Sequence, residues 1–436
     1  MQMYMQFNLK ANERINMNFL HSEIGSAKDN FYSPVHNWYK FTAGFSYKFV
    51  ESILDDEMKS KNPIVFEPFA GCGTTLVSSQ KKQVKAIGNE GQEFMLDIIK
   101  AKLNWDIDEF QCRKKFNELD DFVKSKLTYF DLEKNAHPLL QSLYTPETLK
   151  ILYLIRNGLE EIESEKIRLF LKLALSQTMH KSAIHPIAIP YISRTKKLAN
   201  GGQPWEKFQA TVFQMIEDIR PLKNIACSSD IYLQDSRQEN ERVETSSCNV
   251  CITSPPYLNN LDYGEVSKVH THFFDITNNW NDITTKVRKN LVTGATTHYK
   301  EAEFNIETFK YSEFAENNKA VFTDLSEKFF QIKSIAKERK GKKSFDILMM
   351  HYFEDMYNVL KEIKRVLHQN SKAYLILGDS APYGVYVPTT EILGEISKSV
   401  GFDNYDIYKI RSRGTKWKSL KNRHSIELSE NVLVLQ

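Results

Sequence analysis

Val65-Phe66-Glu67-Pro68-Phe69-Ala70-Gly71-Cys72-Gly73-Thr74-Thr75 is the stretch that decides the fold. An apolar strand over 64–66 runs into a glycine-rich bend, and a helix is predicted from about Thr74. Gly71 and Gly73 permit positive φ and a close approach of backbone to a ligand. The helix N-terminus adds free N–H groups and the positive end of a dipole. A second strand, Val84-Lys85-Ala86-Ile87-Gly88-Asn89-Glu90, follows and ends in an acid. In a doubly wound sheet an acid at that position can hold ribose hydroxyls. Strand, glycine bend, helix and strand-terminal acid together point to a nucleoside cofactor. Phosphate-binding patterns fit less well: there is no G-x-x-x-x-G-K-[ST] loop, and G-x-G-x-x-G is not completed after Gly73.

A second run stands far downstream: Val250-Cys251-Ile252-Thr253-Ser254-Pro255-Pro256-Tyr257. An apolar strand leads into a polar residue, two prolines and an aromatic ring. Proline fixes φ and removes a backbone donor, so this loop is stiff and presents carbonyl acceptors. Acceptors beside a flat ring suit the exocyclic amine of a nucleobase swung out of its stack. The plainer alternative is a proline-rich turn closing a buried strand.

Taken together, Pro68 to Thr75 and Thr253-Ser254-Pro255-Pro256-Tyr257 resemble the amino-methylating DNA methyltransferases, which methylate cytosine N4 or adenine N6 from S-adenosylmethionine. Weaker matches accompany them. His36-Asn37-Trp38-Tyr39-Lys40-Phe41 resembles the segment before the cofactor strand, and Tyr232-Leu233-Gln234-Asp235-Ser236-Arg237 the strand-end acid before the catalytic strand. Leu261-Asp262-Tyr263 with Lys268 resembles the run after the catalytic loop. Arg365-Val366-Leu367, Ala373 to Ser380, Arg413-Gly414-Thr415 and Glu430 to Leu435 resemble the later helix, strand and closing hairpin. The resemblance spans 31–103 and 230–436. It implies an α/β fold: a doubly wound, mostly parallel, Rossmann-like methyltransferase sheet. It also implies cofactor contacts from His36, Phe41, Glu67, Pro68, Phe69, Gly71, Gly73 and Thr74, with Glu90 on the ribose and Asp235 on the adenine amine.

The chemistry expected of such a site is specific. The nucleophile is an aromatic amine whose lone pair is shared with its ring. Ser254 Oγ and the Pro255 carbonyl would accept hydrogen bonds from it, Pro256 would stiffen the loop, and Tyr257 would stack on the flipped base. Asp262 would take a proton or orient the base; the alternative is a turn-capping role. No metal is required. Ser at the first loop position is commoner among cytosine-N4 members of the family, so N4 is favoured over adenine N6. Cytosine-C5 chemistry needs a cysteine nucleophile, usually after proline, and the chain has no Pro-Cys pair. An RNA base methyltransferase and an inactive methyltransferase-fold scaffold are the remaining alternatives.

Composition agrees with a soluble enzyme. The chain has 436 residues, 41% of them hydrophobic, and a mean hydropathy of −0.45. It can bury one large core or two smaller ones. No run approaches the ~18 apolar residues of a membrane span. The start, Met1 to Gln6, lacks the charged and apolar regions of a signal peptide. Five scattered cysteines without a paired C-x-x-C predict reduced thiols, no structural zinc and a cytoplasmic setting. Net charge is only +3, so its distribution matters more than its sum. Lys409, Arg411, Arg413, Lys416, Lys418, Lys421 and Arg423 run without an intervening acid, a candidate phosphate contact or else a solvated hairpin.

Three parts are expected. Residues 1–103 hold an N-terminal arm (1–30) and the cofactor loop. Residues 104–229 show Leu, Ile and Phe at helical spacing, for example Leu149, Leu152, Ile155 and Leu159, and form a largely helical insertion that is a candidate for target recognition. Within it, 184–202 breaks the pattern with Arg194, Lys196 and Lys197, a candidate DNA-touching loop or a plain connector. Residues 230–436 carry the catalytic loop and closing strands. Thr293-Gly294-Ala295-Thr296-Thr297 is read as a loop that could close over substrate, and 278–344 is the rival site of sequence recognition. Double-stranded DNA is the expected partner, with a separately encoded restriction endonuclease as a further candidate.

Overall fold

The computed structural model describes residues 27–41, 43–59, 62–187, 191–198, 201–225, 227–299, 301–338, 343–413 and 426–436. Alternation in the apolar strands sets the architecture, because successive side chains of a strand face opposite sides of the sheet. Val65, Val250, Ile252, Tyr374, Ile376, Val432 and Val434 point to one face. Phe66, Cys251, Ala373, Leu375, Leu377, Leu433 and Leu435 point to the other. Both faces are therefore covered.

Among the described residues seven strands form one sheet: β1 Ile64–Glu67, β2 Lys85–Glu90, β3 Asp230–Leu233, β4 Cys248–Thr253, β5 Leu367–Gly378, β6 Tyr405–Arg413 and β7 Leu428–Leu435. Their order is β3-β2-β1-β4-β5-β7-β6. Neighbours among β1 to β5 run parallel, and β7 lies antiparallel between β5 and β6. This is the doubly wound, mostly parallel, Rossmann-like sheet that the resemblance implies. The strand order reverses at β1 and β4, where ligands bind in open α/β sheets. The glycine bend and the Ser-Pro-Pro-Tyr loop leave the sheet from the ends of these two strands.

The α-helices of eight residues or more are α1 Tyr47–Glu57, α2 Thr74–Lys81, α3 Glu93–Leu103, α4 Glu109–Lys126, α5 Pro146–Leu159, α6 Glu165–Ser182, α7 Pro204–Ile219, α8 Tyr263–Phe273, α9 Lys319–Lys337, α10 Phe345–Val366 and α11 Thr389–Ser399. α1 lies on the first face through Phe49, Val50, Ile53 and Leu54, joined by Leu76 of α2. α10 and α11 cover the second face, with Leu348, Tyr352, Met356, Leu360 and Ile363 of α10 all buried along one stripe. Helices α4 to α7 share a third core with α3 and α8, including Phe116, Leu152, Phe170, Phe208, Phe94 and Phe273. Residues 27–32 form a 3₁₀ turn, and the rest of the expected arm, 1–26, lies outside the described residues. In the turn Asn30 is buried, donates to the Phe45 carbonyl at 2.9 Å and accepts from Tyr47 N at 2.9 Å. No helix among the described residues is long and apolar enough to cross a membrane. The five cysteines carry no disulfide, and burial pushes the Cys248 thiol up to about 11.

Candidate active site

The bend after β1 is built by its own hydrogen bonds. Gly71 and Gly73 adopt φ of 55° and 82°, and Gly73 caps α2 from that left-handed conformation. The Gly71 N–H donates to Glu90 Oε2 at 2.9 Å, and Gln92 N donates to Glu90 Oε1 at 2.9 Å. One acid at the end of β2 thus holds the bend open with two backbone donors. Burial raises the Glu90 carboxyl to about 7.

Around the bend lies a cleft of about 750 Å³, counted to its open mouth. Of the residues expected at a cofactor site, Phe41, Pro68, Phe69, Gly71, Thr74 and Glu90 line it. From the catalytic loop, Ser254 and Pro256 line the same cleft. Sequence positions far apart are therefore brought onto one cavity. Motif reading missed the roof, formed by Asn290, Leu291 and Val292, and also Tyr263 and Ser236. No local pattern flags the roof, because its role depends on where 288–297 crosses the cleft.

Other expected residues stand outside this lining. His36 is buried and stacks on Tyr47 with ring centroids 5.0 Å apart. Glu67 ties three elements together: it accepts from Phe69 N at 2.9 Å, from the Thr75 hydroxyl at 2.7 Å and from the Thr253 hydroxyl. Burial pushes its carboxyl up to about 7. Gly73 packs beneath Ile99. Asp235 pairs with Arg237 at 2.7 Å, while its neighbour Ser236 donates to the Pro68 carbonyl. The position expected to read adenine is thus already matched by a guanidinium.

At the catalytic loop the Ser254 hydroxyl lies 3.4 Å from the Ile376 carbonyl. Pro255 is buried, and the Pro256 carbonyl accepts from the buried Tyr352 hydroxyl at 2.9 Å. Tyr257 donates to Glu430 Oε1 at 3.0 Å. Burial, then the Glu430 carboxylate, push its phenol well above the ordinary range, so it stays a donor. The Arg413 guanidinium stands 4.9 Å from the centre of the Tyr257 ring. Arg411 Nε lies 2.6 Å from Glu430 Oε2, off the hydrogen-bonding line. Arg413, expected on phosphate, therefore covers the aromatic plate here. Lys416 and Lys418 lie outside the described residues.

Asp262 caps α8, accepting from Glu265 N at 3.2 Å, and meets the buried Arg288 at 2.7 Å. Burial alone would raise its carboxyl, but the bonds from Arg288 and Thr297 outweigh it and hold it below the usual carboxylate range. A carboxylate so engaged is a poor proton acceptor. The loop around Arg194, Lys196 and Lys197 is folded rather than slack. Its closing bonds include Leu198 N to the Ile184 carbonyl at 2.9 Å and Ser193 N to the Pro186 carbonyl at 3.0 Å. All three cations are exposed. Asp262 N donates to the Tyr191 hydroxyl at 3.1 Å, which sets this basic loop beside the residues that follow the catalytic loop.

No family model matches the chain. Among curated proteins it is similar to the Type II methyltransferase M.BsoBI of Geobacillus stearothermophilus, 20% identical over 90% of this chain and 83% of the relative. It is likewise similar to the Type II methyltransferase M.AvaI of Nostoc sp. (strain PCC 7120), 21% identical over 88% and 82%. A third relative, the Type II methyltransferase M.MvaI of Kocuria varians, is 20% identical over 98% and 95%.

Proposed function

We propose that this chain is an S-adenosylmethionine-dependent DNA methyltransferase of the restriction-modification kind, acting on the exocyclic amine of a flipped base, with cytosine N4 as the favoured atom. The observation that carries the reading is the meeting of Ser254 and Pro256 with Phe69, Gly71 and Glu90 on one cleft. The three relatives named Type II methyltransferases support it along nearly the whole chain.

The donor set fits the cofactor. Glu90 presents a carboxylate whose two bonded N–H groups leave further lone pairs for ribose hydroxyls. Phe41 and Phe69 give the cleft apolar walls, and Gly71 lets backbone come close. When bound, the cofactor supplies an electrophilic methyl on a sulfonium centre. The chain's own task is to prepare the amine. Ser254 Oγ and the Pro255 carbonyl accept hydrogen bonds from its two N–H groups, which concentrates the lone pair on nitrogen, and the proton displaced by the incoming methyl passes to solvent at the open mouth of the cleft. Tyr257 stacks on the base once Arg413 has moved aside, a contact worth roughly 1–3 kcal/mol. Placing nitrogen in line with the methyl supplies much of the remaining acceleration. Asp262 is assigned no proton, because Arg288 and Thr297 occupy it.

Arg194, Lys196 and Lys197, with Arg411 and Arg413, are assigned to phosphates of double-stranded DNA, and the helical segment 104–229 to target recognition. The folded basic loop at Asp262 supports that assignment. A separately encoded restriction endonuclease is the partner this reading implies, in a cytoplasmic setting.

The test is expression in cells free of DNA methylation, digestion of their DNA and mass spectrometry of the nucleosides. N4-methylcytosine that disappears with Ser254→Ala, while cofactor binding persists, is the expected result. N6-methyladenine would move the base assignment and keep the mechanism. No methylated base from a protein that binds the cofactor would overturn DNA as the substrate.

A further inference from the structure

Residues 288–297 form a strap over the cleft, held by one buried and one half-buried ion pair. The first is Arg288–Asp262, whose side chains are 1% and 8% exposed. Arg288 Nε also donates to both Asp262 oxygens at 3.0 and 3.1 Å. Its guanidinium sits 4.1 Å from the Trp280 ring centre and reaches the Thr284 hydroxyl at 3.0 Å. The second pair is Arg237–Asp355 at 3.4 Å. Arg237 also donates to the Lys289 carbonyl at 2.5 Å, and Asp355 accepts from Thr293 N at 2.8 Å. Thr297 returns to Asp262 with a hydroxyl bond of 2.9 Å. Between these anchors Asn290, Leu291 and Val292 face the cleft.

Asp262 bears on the cleft from a second side. It caps α8, whose first residue, Tyr263, also lines the cavity. The fit around the strap is close: a Cβ on Gly91 would lie 2.6 Å from the Asn290 carbonyl oxygen, and one on Gly264 would lie 3.0 Å from Arg288 Cγ. A lone buried charge is strongly unfavourable, so Arg288 and Asp262 need each other in place. Where one side chain settles, the roof and Tyr263 settle with it.

We infer that Arg288 is a positioning residue, whose ion pair with Asp262 locks the 288–297 strap down as the roof of the cofactor cleft and fixes Tyr263 beneath it. The inference rests on the reading of this cleft as the S-adenosylmethionine site. It gives Asp262 a mechanical role in place of a proton-transfer role. It also couples the roof to the helix that follows the Ser-Pro-Pro-Tyr loop.

The test is calorimetric titration of the full chain with S-adenosylmethionine, combined with methyl transfer from labelled cofactor to unmethylated genomic DNA. Arg288→Met should weaken cofactor binding about ten- to a hundredfold, the scale of a roof displaced by an ångström. Turnover at saturating cofactor should fall less, and Arg288→Lys should recover part of the affinity. Thr297→Val leaves the ion pair intact and should move affinity in the same direction by a smaller factor. If Arg288→Met does not fold, Thr297→Val carries the test. Unchanged cofactor affinity in folded variants overturns the inference, as does a loss of turnover with KM unmoved. An unsubstituted protein that fails to bind the cofactor overturns instead the reading of the cleft.

Discussion

Glu67 and Glu90 are two buried carboxyls at the ends of adjacent strands, and burial holds both near 7. They differ in where their oxygens point. Glu67 is bonded to Phe69, Thr75 and Thr253, so it clamps β1, α2 and β4 together. Glu90 is bonded only along its own edge of the cleft and faces the cavity. A prediction follows for Glu90. A cofactor that carries hydroxyl donors and a sulfonium charge binds the ionised carboxylate better than the acid. Affinity should therefore rise with pH toward about 7 and level off above it. Below 7 the loss is at most about tenfold per pH unit. Titrating S-adenosylmethionine between pH 5.5 and 8.5 checks this, with Glu90→Gln expected to bind weakly and without the slope. A pH-independent affinity in the unsubstituted protein would remove Glu90 from the binding set. At this scale the sequence was readable where chemistry is local, as in a strand-end acid after a glycine bend. For Asp262 it was readable only in part: the capping role was among the expectations, but the pairing with Arg288, which arrives from a separate turn, was not.

Among the elements, β5 shows how a strand end can shape a site without touching a ligand. Its last residue, Gly378, lies under both Tyr257 and Arg413. A Cβ there would fall 2.8 Å from Tyr257 Cδ2 and 2.0 Å from Arg413 Nη1. Arg413 can swing away, but the Tyr257 ring is held by its bond to Glu430. Gly378→Ala should therefore tilt the stacking plate, lowering turnover on unmethylated genomic DNA about ten- to a hundredfold. Cofactor affinity should stay unchanged, since Gly378 does not line the cleft. A parallel loss of cofactor affinity would show that the substitution disturbs β5 as a whole. The central strands could be read as short apolar runs bounded by turn residues, because both faces of the sheet are covered. The strap could be read only at its far end, where Thr293 to Thr297 stood out as a loop that could close over substrate; its start could not. Residues 283–287 form a π-turn and 288–290 a 3₁₀ turn, neither of which has a hydrophobic period to betray it.

For the molecule as a whole, a decisive contact is between the helical segment and the helices α3 and α8 that pack beside the sheet. Helical spacing predicted α5 and α6 but not their neighbours, because an apolar stripe does not name what covers it. The structure sets His180 of α6 against His270 of α8, with ring centroids 4.8 Å apart, and stacks His270 on Phe94 of α3 at 4.9 Å. The Nε2 atoms of both histidines are buried without a hydrogen-bond partner. Burial lowers His270 to about 4, and burial followed by the neighbouring His270 lowers His180 further below its ordinary value. The sign follows from linkage. The unfolded chain protonates these rings near 6.5 and the folded chain does not, so stability is lost as pH falls from about 6.5 toward 4. For His270 alone the loss reaches about 3 kcal/mol. Glu67 and Glu90 act in the opposite sense: their raised values favour the folded state at low pH, and that contribution is lost as pH rises through about 7. The unsubstituted protein therefore shows only the sum, and a difference is needed to isolate the histidine. His270→Phe keeps an aromatic ring against Phe94 and removes the titrating nitrogens. Urea unfolding of both proteins at intervals from pH 4.5 to 7.5 should give curves that converge at neutral pH. They should separate on acidification by about 1.4 kcal/mol per pH unit, the variant being the more stable. Parallel curves would mean that His270 takes up its proton without cost, which requires water or an acid beside it and would redraw this interface.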